Sequence, residues 1–457
     1  MSIIHGELVL QDIKYHFIFE DYMLSIYEFG SEANPIKALI AALDQKSRVE
    51  LPQTIMGTCY PDGHKVLFMQ LFDAGYTNNV RKISVNSWFE IKSNVNFPFP
   101  ISQISIIAKE LNYIYPPVQM YSYTLDDNGL ISTINFDHLK ESFKWQFSLD
   151  GQSITVSSGF LHSYRWGTTP VDIQSAFFCS FEPTENYEFI VHLFDIVSRL
   201  LQYLCYRQNI SISNGYLYAS DEEHKHHNIG TFNAKWLETQ YPEGEKWMSK
   251  RVIDFKIVND SLSMILQRIS DSTLYLRHIP QNSKDVLAIT PARTVLLMAA
   301  FEGEFSYSYP KAIELPQEIK EKREQVIKGL ETLIAQPEYE QVKGDFLRFI
   351  GDLKTPSLRL KLEHVLADYN DCISIFAKKL FAINGVEFSW EIVAKTITKM
   401  RNDISHGRLN TDYGVDTYLS ITIMPYLIYA MQLRSVGLDD NKIQKAINNL
   451  FQLNFAL

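Results

Sequence analysis

Apolar and polar positions alternate in short runs over the first 180 residues. GELVLQDIKYHFIFE (6–20), MYSYTLDDNGLISTINF (120–136) and FKWQFSLDGQSITVSSG (143–159) all follow the two-residue period of a half-buried strand. Asn128-Gly129 and Asp150-Gly151 interrupt the second and third runs as hairpin turns whose central residues need positive φ. FPFP (97–100) and YPP (115–117) read as loop punctuation. The pattern predicts an antiparallel, sandwich-like or barrel-like β-rich region. A helix follows at about 184–207, then a mixed stretch to 285. From about 290 the period lengthens to that of helices: ARTVLLMAAFEGEF, PQEIKEKREQVIKGLETLIA, YEQVKGDFLRFIGDL, SLRLKLEHVLADYNDCISIFAKKL, WEIVAKTITKMRNDI, VDTYLSITIMPYLIYAMQL and DNKIQKAINNLFQL. The expected class is α+β multidomain, with a β-rich region at 1–285 and an all-α bundle at 286–457.

A chain of 457 residues exceeds one ordinary core, in keeping with that division. Residues 1–30 do not read as a secretory leader, because Glu7, Asp12, Lys14, His16, Glu20 and Asp21 break every apolar run. FIVHLFDIVSRLLQYLCY (189–206) carries His192, Asp195 and Arg199, so it reads as a buried amphipathic helix and not a membrane span. The four cysteines form no Cys-x-x-Cys pair, which argues against a disulfide framework or zinc ribbon and for a cytoplasmic setting. No metal site and no cofactor are expected.

Charge is distributed unevenly. Residues 311–457 carry 19 Lys+Arg and 19 Asp+Glu, so the net charge of −10 lies wholly in the first 310. Within 378–408 the basic residues Lys378, Lys379, Lys395, Lys399, Arg401 and Arg408 outnumber Glu387, Glu391 and Asp403. A locally positive segment in an acidic chain can hold a few phosphates without coating the protein in non-specific RNA.

That segment contains KMRNDISHGRLN (399–410). An arginine followed by a histidine at this spacing turns up by chance about once in a chain this long. Arg359 and His364 share it, and their leucine-rich surroundings point to packing. Around the second pair, Trp390, Val393, Ile397, Met400 and Ile404 step by alternating threes and fours as one apolar stripe. Ser389 is placed to cap the helix and Gly407 to stop it. On a regular helix Arg401 lies at the stripe's margin, about 140° from His406. Arginine can hold a phosphate, and histidine can move a proton at neutral pH. In RNA the 2′-hydroxyl is itself a nucleophile, so the pair suffices for metal-independent RNA cleavage. The structural alternative is a C-terminal histidine beside an exposed arginine.

Arg401-Asn402-x-x-x-His406-Gly407 resembles the Arg-x(4–6)-His motif of HEPN ribonuclease domains, in which a polar residue, often Asn, follows the arginine. The whole chain resembles ApeA-type anti-phage proteins, with a β-rich region opening in IIHGELVL, a junction helix like PARTVLLMAAFEGEF and a HEPN domain at the end. The resemblance implies an endoribonuclease acting in abortive infection on cellular RNA, tRNA included. It also implies an active site composed at a HEPN dimer interface and a β-rich region that restrains or triggers the RNase. The expected partners are RNA, a second copy of the chain joined through the HEPN domain and a phage-derived trigger, with no membrane partner. Arg401 would bind the scissile phosphate, His406 would act as general acid/base, Asn402 would orient the site, and Lys395, Lys399 and Arg408 would contact RNA. The alternatives are a non-catalytic HEPN scaffold for dimerisation or RNA binding and a sugar-binding sensor built on the aromatic strands. DEEHKHHN (221–228) reads as a solvated loop, with metal binding by His224, His226 and His227 as its other reading.

Overall fold

The computed structural model describes residues 3–10, 12–28, 51–77, 80–136, 143–164, 171–221, 223, 225–237, 242–310, 317–408 and 413–455. The architecture is α+β. Two compact units form, Met1–Phe255 with Leu262–Ser270, and Lys256–Ser261 with Asp271–Leu457. Residues 271–285, which the hydrophobic pattern groups with the β-rich region, belong to the second unit.

In the first unit a six-membered cycle of antiparallel strands forms in place of a two-sheet sandwich. The strands are β1 (Ile4–Leu10), β2 (Ile13–Glu20), β3 (Met23–Glu28), β4 (Thr54–Cys59), β5 (Lys65–Thr77) and β6 (Val80–Ile91). Pairings run β1–β2–β3–β6–β5–β4 and return to β1, which leaves no free edge within the cycle. Alternate residues point inward and fill it with Phe17, Phe19, Phe68 and Trp88, whose rings meet edge-on at 5.0–5.5 Å. Gly57 is required there, since a Cβ would lie 2.6 Å from the Phe17 ring.

Strand β6 is the seam. Its first half pairs with β3 and its second half with β14 (His226–Ala234), which opens a sheet ordered β6–β14–β13–β7–β12–β11–β10. Here β7 is Ile101–Ala108, β10 Lys144–Leu149, β11 Gln152–Tyr164, β12 Val171–Thr184 and β13 Ile212–Ser220. Two strands therefore lie beyond residue 180, in the stretch read as mixed. β8 (Tyr121–Leu125) and β9 (Ile131–Phe136) form a separate ladder. Between them only Gly129, and not Asn128, takes positive φ, and Asp126 accepts the backbone N–H groups of Asn128 and Leu130. At Asp150-Gly151 both residues do (φ 49° and 80°), giving the expected two-residue turn.

Helix α1 (Tyr187–Cys205), capped by Asn186, packs on this sheet through Phe194, stacked 4.2 Å from Phe232. Past its end, Arg207 and Glu110 form a buried ion pair at 2.6 Å, and Glu110 also accepts the Ser211 N–H. Helix α2 (Leu262–Ser270) covers the edge strand β10: Ser263 and Gln267 accept its N–H groups and Ser270 donates to the Ser148 carbonyl. A sheet edge that would otherwise invite another chain is thereby satisfied.

The second unit contains α3 (Pro291–Ser308), α4 (Gln317–Ile334), α5 (Lys343–Lys354), α6 (Leu358–Asp368), α7 (Asn370–Ile383), α8 (Trp390–Ser405), α9 (Val415–Ser435) and α10 (Asp440–Phe451). The segment read as one helix over 357–380 is broken at Tyr369 into α6 and α7. α9 is buried along most of its length and packs against α3, α7, α8 and α10. α4 and α5 pack on one another and bury one residue each, Ile334 and Ile350. Among the described residues no helix is long and apolar enough to cross a membrane.

Candidate active site at the end of a bundle helix

Helix α8 carries the Arg–His pair, and its ends are fixed as the sequence anticipates. The Ser389 side chain accepts the Ile392 N–H at 3.1 Å. At the other end His406 is the C-cap, Gly407 takes φ +71°, and the Gly407 and Arg408 N–H groups return to the carbonyls of Ile404 and Asp403. This pair of bonds is the Schellman stop, in which a left-handed residue lets the last carbonyls find donors. The helix is held laterally by Trp390, donating to Asn370 on α7, and by Thr396, bonded to Ser420 on α9.

Val393, Ile397 and Met400 are buried, while Trp390 and Ile404 at the ends of the expected stripe are half-buried. Lys395, Lys399, Asn402 and His406 step by 4, 3 and 4 and are all exposed, so they form one line along the solvent face. Arg401 is half-buried on the flank of that line, with Nη1 3.4 Å from the Asn402 side-chain oxygen. His406 lies five residues on, about 140° round the helix at 100° per residue. No hydrogen bond joins Arg401 to His406 among the described residues. The chain brings His406, Asn402 and the two lysines onto one face and leaves the guanidinium beside it.

Local charge favours an anion. Glu391, at the start of α8, is taken up by Arg359 of α6 at 3.1 Å. Asp403 is buried, with one oxygen 3.5 Å from Arg408. Lys395 and Lys399 have no ion-pair partner among the described residues. Asp403 is the residue that sequence reasoning missed. It lies three positions after Met400, and that spacing was the signal that it would turn inward. Its second oxygen is enclosed without a hydrogen bond.

The other constellations resolve differently. Arg359 is bound to Glu363 at 2.7 Å as well as to Glu391, and these carboxylates hold its pKa above the usual arginine value. His364 packs edge-on to Tyr309 at 5.1 Å. In the histidine-rich segment, His227 sits 2.6 Å from Asp221, whose pKa this contact lowers, and His226 faces the hydroxyls of Ser102 and Ser220. His224 lies outside the described residues. Among the described residues no three His, Cys, Asp or Glu side chains converge as metal ligands. The four cysteines are buried free thiols, and burial pushes each up to about 12, which removes them as nucleophiles near neutral pH. No family model, no curated protein and no solved structure matches the chain.

Proposed function

We propose that the second unit is a HEPN-type endoribonuclease domain whose site is built on α8. The observation that carries this reading is the line Lys395–Lys399–Asn402–His406, exposed and basic, ending at a histidine on a capped helix end with Arg401 on its flank. In this chemistry the 2′-hydroxyl attacks phosphorus as one imidazole removes its proton. The P–O5′ bond breaks, and the leaving 5′-oxygen takes a proton from an imidazolium. The fragments end in a 2′,3′-cyclic phosphate and a 5′-hydroxyl. Arg401 holds the phosphoryl oxygens, Asn402 orients the arginine through the contact already present, and Lys395, Lys399 and Arg408 bind flanking phosphates.

One chain supplies one histidine, set well round the helix from its arginine. Two copies of α8 about a two-fold axis would place two arginines and two histidines around one phosphate, so the active form is a homodimer. An anti-phage role in abortive infection, tRNA among the substrates and a phage-derived trigger rest on the resemblance to ApeA-type proteins. The test is incubation of the protein with total cellular RNA, with and without EDTA. Fragments with cyclic-phosphate ends, undiminished by EDTA, are expected. Cleavage abolished by EDTA would remove this mechanism.

A second reading is favoured by the separation of Arg401 from His406: a non-catalytic HEPN scaffold that dimerises and binds RNA. RNA retained without fragmentation, under every condition of activation, would select it.

A further inference from the structure

The first unit contains a groove of about 680 Å³ that the ribonuclease reading does not use. One wall is β5, where Phe72 stays 57% exposed between Gln70, a non-glycine residue at φ +52°, and the bulge at Asp73–Gly75. Phe72 thus offers its ring to the groove from an irregular stretch of strand. Trp236, 38% exposed, adds a second aromatic surface after β14. The groove is also lined by carboxylates. Asp150 comes from the β10–β11 turn, and Glu188 and Asp195 from α1. Asp195 is bound to Arg199 at 2.8 Å, and Asp150 lies 3.4 Å from His192. Glu188 has no ion-pair partner among the described residues. Among the described residues no lysine or arginine lines the groove, and its one basic side chain is His192.

We propose that this groove binds an organic cation, an ammonium or guanidinium carried on an apolar stem. The stem lies against Phe72 and Trp236, whose ring faces attract cations. The charged head reaches Glu188 and Asp150. The carboxylates oppose a phosphate or any other anion, so the groove is not a second RNA site. A neutral sugar would use the rings and amides but leave Glu188 uncompensated. The cation has two possible sources, a free polyamine or a lysine or arginine side chain of a polypeptide.

Calorimetric titration of the full chain separates them. The probes are spermidine, agmatine, a twelve-residue peptide rich in Lys and Arg, the same peptide with its lysines acetylated and arginines replaced by citrulline, and a neutral maltooligosaccharide. Saturable binding of a cationic probe is expected, weakened at least about tenfold in the Asp150→Asn/Glu188→Gln protein. Trp236→Leu, which keeps every charge, should weaken it too. Spermidine or agmatine binding alone assigns a free polyamine, and peptide binding alone assigns a polypeptide side chain. A thermal melt unchanged from wild type certifies each variant as folded, and where one fails that check the acetylated peptide decides. No binding of any cationic probe overturns the proposal. So does equal binding by the charge-neutralised variant, equal binding of the uncharged peptide, or binding of the sugar in preference to the cations.

Discussion

The second unit contains two arginines each followed five positions later by a histidine, and they differ in everything but spacing. Arg359 is bound by two carboxylates and His364 by a tyrosine ring. Among the described residues the side-chain hydrogen bond of Arg401 is to a neutral amide, Asn402, and His406 ends its helix in solvent. A guanidinium already neutralised has little to offer a phosphate, while one beside an amide keeps its charge available. The first pair also serves the second. By holding Glu391, Arg359 removes a negative charge from the helix on which Lys395 and Lys399 stand. Identical spacing thus yields a structural clamp in one place and a candidate site in the other, and the partners decide which.

A third histidine of the unit marks the extreme of burial and gives the largest expected effect. Burial pushes His278 down to about 4, below its ordinary 6.5, in a setting shared with Tyr275, Arg293 and Tyr429. The unfolded chain takes up that proton first. The contribution is therefore fully present above about pH 6.5 and lost as pH falls toward 4, at a cost of about 3 kcal/mol. Urea unfolding followed between pH 7 and 4.5 should show the loss, and His278→Asn should flatten the profile.

The charge difference between the two pairs is tested by reversing the exposed lysines. Lys395→Glu with Lys399→Glu should weaken single-stranded RNA binding about tenfold or more and reduce the salt slope by about 1.4, the share of two phosphate contacts. Filter binding at several salt concentrations measures both. Gly407→Ala tests the helix end that presents His406. The site is sterically open, so the cost is that of a left-handed alanine, about 1 kcal/mol, read in the melting temperature. Arg359→Ala should cost less than about 1 kcal/mol, because its ion pairs are solvent-exposed. RNA cleavage should fall only modestly in that variant, as Glu391 regains its charge at the start of α8.

Local signals carried much of this into the sequence. Ser389, Gly407 and Asp150-Gly151 work through neighbouring backbone groups, so their caps and turns could be read along the chain. Closure of the barrel could not be read in this way. It rests on β1 meeting β4, and on β6 dividing its length between β3 and β14, pairings between residues far apart in sequence. The break at Tyr369 was hidden because residues on both sides keep helical periodicity. Asp403 was hidden by its charge: a carboxylate inside an apolar period is ordinarily assigned to solvent, and here neighbouring packing encloses it.

The comparison is tested most directly by matched alanine substitutions assayed for RNA fragments ending in 2′,3′-cyclic phosphate. Removing a general acid/base should lower cleavage by about 10²–10⁴-fold. His406→Ala should therefore yield essentially no fragments, while His364→Ala, of equal spacing from its own arginine, should cleave as the parent does. Both proteins should remain folded by circular dichroism. Undiminished cleavage by His406→Ala, or equal losses in both, would contradict the assignment of the site to α8.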